Sequence, residues 1–319
     1  MTEGGAAADA RAGVRVAVCI ATFRRPEGVS ALLASLGAMT FGRGAPDWFA
    51  VVVDNDAGEG ARGAVREAAG RLAFSVEYLV EPERSISLAR NRGVAWALAR
   101  GARFVAFVDD DETVHPGWLD ELLAVQARFG ADAVQGAMVP SFPAGSPAWV
   151  QGAWVYAVPL PERGTLLPVA TTNNVLVRAA LLRPEPPFDP AFGIAGGEDS
   201  MFFLRARRAG ARIVAAPDAI TEEHFAGGRV RPGWVLRRAF RVGNTALHCE
   251  LALPRGLRSP AGRLVRATLR MSGSAALLPF ALLRGRGAAL DALAFVSYGL
   301  GCWSALAGYR YLEYRDAGR

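Results

Sequence analysis

The chain predicts a mostly parallel α/β sheet flanked by helices, followed by a helical carboxyl-terminal part that is both basic and apolar. Three observations carry this. Short apolar runs rich in β-formers alternate with helical patterns from Val14 to Val108, which is the signature of successive β-α-β units. Two of the runs stop on acidic clusters, Asp54-Asn55-Asp56 and Asp109-Asp110-Asp111, and ligands of open α/β sheets bind outside the carboxyl ends of the strands. Charge is divided along the chain: of a total of +6, the stretch Phe225 to Arg319 carries fifteen arginines against four acids, so the part before it is acidic.

The elements follow in order. Val14 to Thr22 reads as the first strand, and Arg24-Arg25-Pro26-Glu27 leads into a helix with apolar positions Val29, Leu32, Leu33 and Leu36. Phe49 to Val53 is the second strand, a Gly-rich turn opens a helix through Val65 and Leu72, and Phe74 to Val80 is the third strand. Ile86 to Arg100 is helical, and Phe104 to Val108 is the strand that delivers the three aspartates. His115-Pro116-Gly117-Trp118 then begins a helix through Glu121-Leu122-Leu123, with Pro116 in its first turn.

The rhythm changes after Ala131–Val139. A Pro-rich stretch carries Trp149, Trp154 and Tyr156, a strand spans Asn173 to Arg178, and Gly196-Gly197 leads into a helix that starts on Glu198-Asp199. The predicted organisation is a disordered tail over residues 1–13, an α/β domain over 14–228 and a helical extension over 229–319. Within the α/β domain, 14–130 holds the strand ends of a nucleotide crevice and 131–228 is an irregular substrate half. The three cysteines, Cys19, Cys249 and Cys302, are far apart and odd in number. They form neither a disulfide framework nor a zinc spacing, which fits a reducing compartment. The small, polar start at Met1 to Gly13 has no secretory pattern.

Consecutive carboxylates at the end of a buried strand repel one another unless a cation compensates them. Their oxygens are the hard ligands that Mg²⁺ or Mn²⁺ prefers. Strand alternation would turn Asp109 and Asp111 to one crevice and Asp110 away from it. Asp54 suits a nucleobase or ribose hydroxyl, or else the cap of the next turn. Arg84 and Arg90 stand in or near the first turns of a helix, where backbone N–H groups and a guanidinium favour a diphosphate. Glu198-Asp199 opens a helix, where acids suit the dipole; a carboxylate there can also serve as a general base. His224 closes Thr221-Glu222-Glu223-His224 at the end of a strand pattern, and with Asp111 it would make a carboxylate–imidazole site suited to Mn²⁺.

Six segments in this order resemble the family-2 glycosyltransferases of the GT-A, Rossmann-like fold: Ala21 to Pro26, Val52 to Asn55, Ser85 to Asn91, Val108 to Asp111, Asn173 to Arg178, and Gly196 to Asp199. The resemblance covers Val14 to His224 and is nearest to bacterial enzymes of the succinoglycan-synthesis type. It implies that Thr22 and Asp54 hold the nucleoside, with Arg24 and Asp110 completing the donor-binding set. It further implies that Arg84 or Arg90 lies near the diphosphate, that Asp109 meets ribose or sugar, and that Asp111 binds the metal, with His224 completing its site. Asp199 would be the base of an inverting transfer, with Glu198 beside it. The implied donor is a UDP-sugar, the cofactor Mn²⁺ or Mg²⁺, and the acceptor a lipid-linked glycan. The Gln-x-x-Arg-Trp type motif of processive synthases is missing, which favours addition of a single sugar.

Beyond residue 228 the family helps least. Trp234, Arg237, Arg238 and Arg241 fall on a helix expected to end near Gly243-Asn244, and Ala292 to Tyr309 holds no charge. With arginines on either side, these stretches read first as helices lying in an anionic membrane surface; a true membrane span and ordinary helical packing on the catalytic domain are the alternatives. The expected place is the cytoplasmic face of the bacterial inner membrane, held peripherally or monotopically. No nucleic-acid recognition motif accompanies the arginines. A sugar-phosphate nucleotidyltransferase is the rival within the fold, but its Gly-rich first loop usually carries a lysine, and this chain has none. A non-catalytic membrane-associated protein that merely binds nucleotide sugar would have no use for Asp199.

Overall fold

The computed structural model describes residues 13–156, 159–183, 186–253 and 259–314. The predicted tail over 1–13 lies, apart from Gly13, outside the described residues. Contacts divide the chain into two compact units. The first holds residues 1–139, 159–193 and 201–223; the second holds 140–158, 194–200 and 224–319.

In the first unit, β1 (Arg15–Thr22) pairs in parallel with β2 (Asp47–Asp54) and β4 (Phe104–Val108), and β2 pairs in parallel with β3 (Ser75–Val80). These four strands, in the order β3-β2-β1-β4, are the expected parallel sheet. Alternation along β1 explains why both faces are apolar. Val16, Val18 and Ile20 join the core under α1 (Pro26–Gly37), where Val29, Leu32, Leu33 and Leu36 are buried. Ala17 and Cys19 face the other way, toward α3 (Ile86–Ala99), with Ala89, Val94 and Ala97. Each fully buried Leu or Val contributes about 1.5–3 kcal/mol, so both helices are firmly seated. The intervening helix α2 (Arg62–Ala69) buries Val65 but stops before Leu72.

Four further strands extend the sheet in the order β7-β6-β8-β5. β7 (Asn174–Arg178) runs antiparallel to β4 and to β6 (Ala133–Ser141), and β5 (Glu112–Val114) pairs antiparallel with β8 (Ile213–His224). The short β5 was not expected from the sequence. It begins directly after the aspartates and leads into α4 (Trp118–Phe129), so Pro116 lies in the turn before that helix. The helix that opens on Glu198-Asp199 is α5 (Glu198–Arg208).

In the second unit, α6 (Pro232–Ala252) packs along α9 (Arg286–Leu306), with α7 (Pro260–Ala276) and α8 (Leu278–Arg284) beside them. The first helix does not end at Gly243-Asn244 as expected. Gly243 is instead where α9 comes closest: a Cβ there would lie 2.1 Å from the Tyr298 carbonyl oxygen. Asn244 uses its amide to donate to Ser304 Oγ at 2.9 Å, so a residue pair that reads as a stop serves as a helix–helix contact.

Candidate active site

The strand register sets Thr22 opposite Asp54 at the carboxyl ends of β1 and β2, and β4 delivers the aspartate turn beside them. The strand ends at Val108, so alternation does not govern the next three residues. This corrects the expectation that Asp110 points away from Asp111. Asp110 is buried, its Oδ2 accepts from Thr22 Oγ1 at 2.7 Å, and its Oδ1 accepts from Arg25 Nη1 at 2.8 Å. The same guanidinium donates to Asp111 Oδ2 at 2.8 Å. Burial pushes the Asp110 carboxyl up to about 6, with Arg25 acting against the shift and Asp111 adding to it. The backbone of the turn rests on α1: a Cβ on Gly28 would sit 2.3 Å from the Asp110 carbonyl oxygen.

The sequence marks Arg24 as a site residue and leaves Arg25 unmarked, but the two neighbours do different things. Arg24 has a left-handed backbone, φ 55°, and its Nε reaches Asp56 Oδ2 at 3.3 Å. Its guanidinium lies 5.0 Å from the centre of the Phe23 ring, and that of Arg84 lies 4.6 Å from the same ring. Arg84 Nη2 is buried without a hydrogen-bond partner among the described residues. Two guanidiniums thus face one ring, a placing whose chemistry suits an anion. Arg90 is placed differently, nearly buried, with Nη2 donating to Asp109 Oδ1 at 3.0 Å.

Asp54 caps its own turn, the alternative role weighed above. Its Oδ1 accepts from the Asp56 N–H at 3.2 Å, and its Oδ2 accepts from the Ala61 N–H at 3.0 Å and from Tyr78 Oη at 2.7 Å. Asn55, which the reading passed over, ties down the segment that carries Arg84. Its amide donates to the carbonyls of Glu81 and Glu83, and its Oδ1 accepts from the Ser85 N–H at 2.8 Å. Ser85 in turn caps α3, accepting from the Leu88 N–H at 3.3 Å.

Glu112 stands opposite Glu223 across the β5–β8 ladder, and both are buried. Burial, then the charges of Asp109 and Glu223, hold the Glu112 carboxyl well above the usual carboxylate range. Asn173 Nδ2 donates to its Oε1 at 3.1 Å. No local pattern marked Glu112, because its partner lies more than a hundred positions away in the chain.

The remaining predicted residues belong to the second unit. Glu198 is buried and Asp199 half-buried at the start of α5, and Asp199 Oδ1 accepts from the Ser200 N–H at 2.6 Å. Burial first, then the charges of Asp199 and Glu198, push the Cys249 thiol up to about 12. His224 is exposed at the end of β8. The donor set around Asp109 and Asp111 suits a hard divalent cation in chemistry. Among the described residues no three His, Cys, Asp or Glu side chains converge as a metal cluster.

The family model described as glycosyl transferase family 2 matches residues 17–183, which runs from within β1 past the end of β7 and includes Thr22, Asp54 and the Asp109–Asp111 turn. The chain belongs to glycosyltransferase family 2. Its sequence is 34% identical over 233 residues to succinoglycan biosynthesis protein ExoM of Rhizobium meliloti, covering 73% of each chain. It is 28% identical over 230 residues to glycosyltransferase AglE of Haloferax volcanii, covering 72% of this chain and 71% of that one. Among solved structures, this family-2 glycosyltransferase is similar to mannosyltransferase PcManGT of Pyrobaculum calidifontis in complex with GDP-Man and Mn²⁺. The TM-score is 0.62 at 17% identity, over 93% of this chain and 88% of that one. It is also similar to residues 1–349 of S. aureus TarS in complex with UDP, TM-score 0.52 at 17% identity, over 95% and 97%. At that identity the likeness shows the GT-A fold.

Proposed function

We propose that this glycosyltransferase adds a single sugar, with inversion, from a nucleotide-sugar donor to a hydroxyl of a lipid-linked glycan during polysaccharide synthesis at a membrane. The observation that carries the reading is the convergence of Thr22, Asp54 and the Asp109–Asp111 turn at the carboxyl ends of three adjacent parallel strands. The relation to ExoM supports the polysaccharide context, and the complex of PcManGT supports a sugar nucleotide together with Mn²⁺.

The roles follow from the chemistry of each group. Asp199 takes the proton of the acceptor hydroxyl as its oxygen bonds to the anomeric carbon, while the bond from that carbon to the diphosphate breaks. The electron pair leaves on the diphosphate, where the cationic pair on Phe23 offsets the growing charge. Mn²⁺ or Mg²⁺, when bound by Asp111 with help from His224, would add Lewis-acid stabilisation of the same leaving group. Asp110 keeps Arg25 and Thr22 in place beneath the donor, and Arg90 fixes Asp109 for ribose or sugar.

The second unit supports attachment to an anionic membrane surface. Among the described residues one helix, Arg286–Leu306, is long and apolar enough to cross a membrane by length and composition. Nearer the surface, Val265, Leu269, Phe280 and Leu283 are exposed beside the exposed arginines Arg266, Arg270, Arg284 and Arg286, and no acid occurs between Ser259 and Arg286. Apolar side chains edged by cations on these consecutive helices suit helices lying in the headgroup region.

The test is a panel of sugar nucleotides, UDP-glucose, UDP-galactose, UDP-N-acetylglucosamine and GDP-mannose, incubated with the purified chain and Mn²⁺. Release of nucleoside diphosphate from one of them, lost on chelation with EDTA, is the expected result. Binding of none, or cleavage to nucleoside monophosphate, would refute the reading.

A further inference from the structure

The segment that leads to Glu198-Asp199 is poor in structure of its own. Gly196 and Gly197 both have left-handed backbones, φ 77° and 92°, and glycine costs more conformational entropy to fix than any other residue. Yet this segment is held from two sides. On one side is a single face of α6, on which Arg241, Thr245 and Cys249 recur at helical spacing. A Cβ on Gly197 would lie 2.2 Å from Thr245 Cγ2, and Cys249 Sγ–H points to the Gly197 carbonyl oxygen at 3.6 Å. On the other side is the end of the described chain: the Tyr314 N–H donates to the Ile194 carbonyl oxygen at 3.0 Å.

That chain end is itself fastened to the same helix. Buried Asn244 donates from Nδ2 to the Tyr309 carbonyl oxygen at 2.8 Å and accepts from the Tyr311 N–H at 3.0 Å on Oδ1. His248 Nε2 lies 2.8 Å from the same Tyr309 oxygen. Arg241 pairs with Glu313, Nε to Oε2 3.4 Å, and the rings of Tyr309 and Tyr311 stand 6.2 Å from that of Phe240. One helical face thus binds both the glycine segment and the strap that crosses to it.

We propose that residues 309–314 are a positioning strap for the Glu198-Asp199 pair, with Asn244 and Glu313 as its fastenings. The strap holds the Ile194 carbonyl, which ties the glycine segment to Tyr314, so the direction of the Asp199 carboxylate depends on it. This rests on the reading of Asp199 as the base. A displacement of about 1 Å at a reacting group can cost on the order of 10²-fold in rate.

The test compares the wild type with a chain ending at Gly308 and with full-length Glu313→Gln, using whichever sugar nucleotide of the panel is turned over fastest with Mn²⁺. Truncation is expected to lower kcat about 10²-fold with donor KM unchanged, and Glu313→Gln to lower it less. Amide hydrogen exchange supplies the second readout: residues 194–200 should exchange faster in both variants. The α6 and α9 amides should keep their protection, which shows that the unit still folds. Unchanged exchange over 194–200 overturns the proposal whatever the activity, and so does a rise in KM at constant kcat. Asp199→Asn separates the two ideas: wild-type turnover in that variant overturns the base assignment, while faster exchange in the truncated chain would still show the strap holding the segment.

Discussion

Adding one methyl group at Gly28 should disable the site without unfolding the protein. Gly28 lies in the first turn of α1, and an added Cβ would stand 2.3 Å from the Asp110 carbonyl oxygen, where ordinary contact begins at 3.4 Å. The backbone of either the helix or the aspartate turn must therefore yield by about 1 Å. The helix is anchored by four buried side chains, Val29, Leu32, Leu33 and Leu36, so the turn is the part that moves. Overpacking of this kind costs about 1–3 kcal/mol, and the better helix propensity of alanine returns at most ~1 kcal/mol. The expected net loss is a few degrees in Tm, together with about a 10²-fold loss of donor turnover. Gly63→Ala is the matched control, because nothing lies within 4 Å of its Cβ position on α2; it should be neutral or slightly stabilising. The assay is Mn²⁺-dependent release of nucleoside diphosphate alongside a thermal melt. A Gly28→Ala enzyme with wild-type turnover would refute the claim that the turn's position matters.

Asp199→Asn should keep donor binding and lose about 10²–10⁴-fold in transfer, measured by isothermal titration and by product release; normal transfer would remove the base. Asp111→Ala should abolish Mn²⁺-dependent donor binding while leaving the melt intact, and His224→Ala should weaken it less; unchanged binding by Asp111→Ala would sink the metal assignment. Phe280→Glu together with Leu283→Glu, two exposed positions, should release the protein from anionic vesicles in a flotation assay with turnover in solution unchanged. High salt should release the wild type only in part, since salt screens charge but not apolar burial; full release would argue against inserted side chains.

What could be read in advance followed the range of the interactions concerned. The first four strands and the helices between them were legible because apolar periodicity is local, and Leu32, Leu33 and Leu36 announce their face within one turn of each other. Arg25 was not legible, because Arg24-Arg25-Pro26 offers two equivalent guanidiniums and what separates them is a contact 85 positions away. The orientation of Asp110 was misjudged for a related reason: strand alternation was extended past the point where β4 stops. Gly243-Asn244 read as a helix end because a glycine weakens a helix by about 1 kcal/mol, a penalty that packing against Tyr298 outweighs. Glu112 was invisible because its burial is made by β8, whose inward positions Thr221 and Glu223 are polar.

The charges around the aspartate turn show why neighbouring carboxylates can take unlike roles. Asp109, Asp110, Asp111 and Glu112 follow one another; Arg25 pairs with Asp110 and Asp111, and Arg90 pairs with Asp109. Unit charges about 4 Å apart interact by roughly 4 kcal/mol at the effective dielectric of a protein surface, so carboxylates this close weigh on one another unless a guanidinium offsets them. The two guanidiniums differ in how free they are to share their acids. The Arg90 side chain is 9% exposed on Asp109, whereas that of Arg25 is 40% exposed and divided between Asp110 and Asp111. Asp110 also has the Thr22 hydroxyl and is buried, so it is an anchor. Asp111 is the more exposed of the two acids on Arg25, so under the proposed function it is the carboxylate of the pair that would turn an oxygen toward a divalent ion.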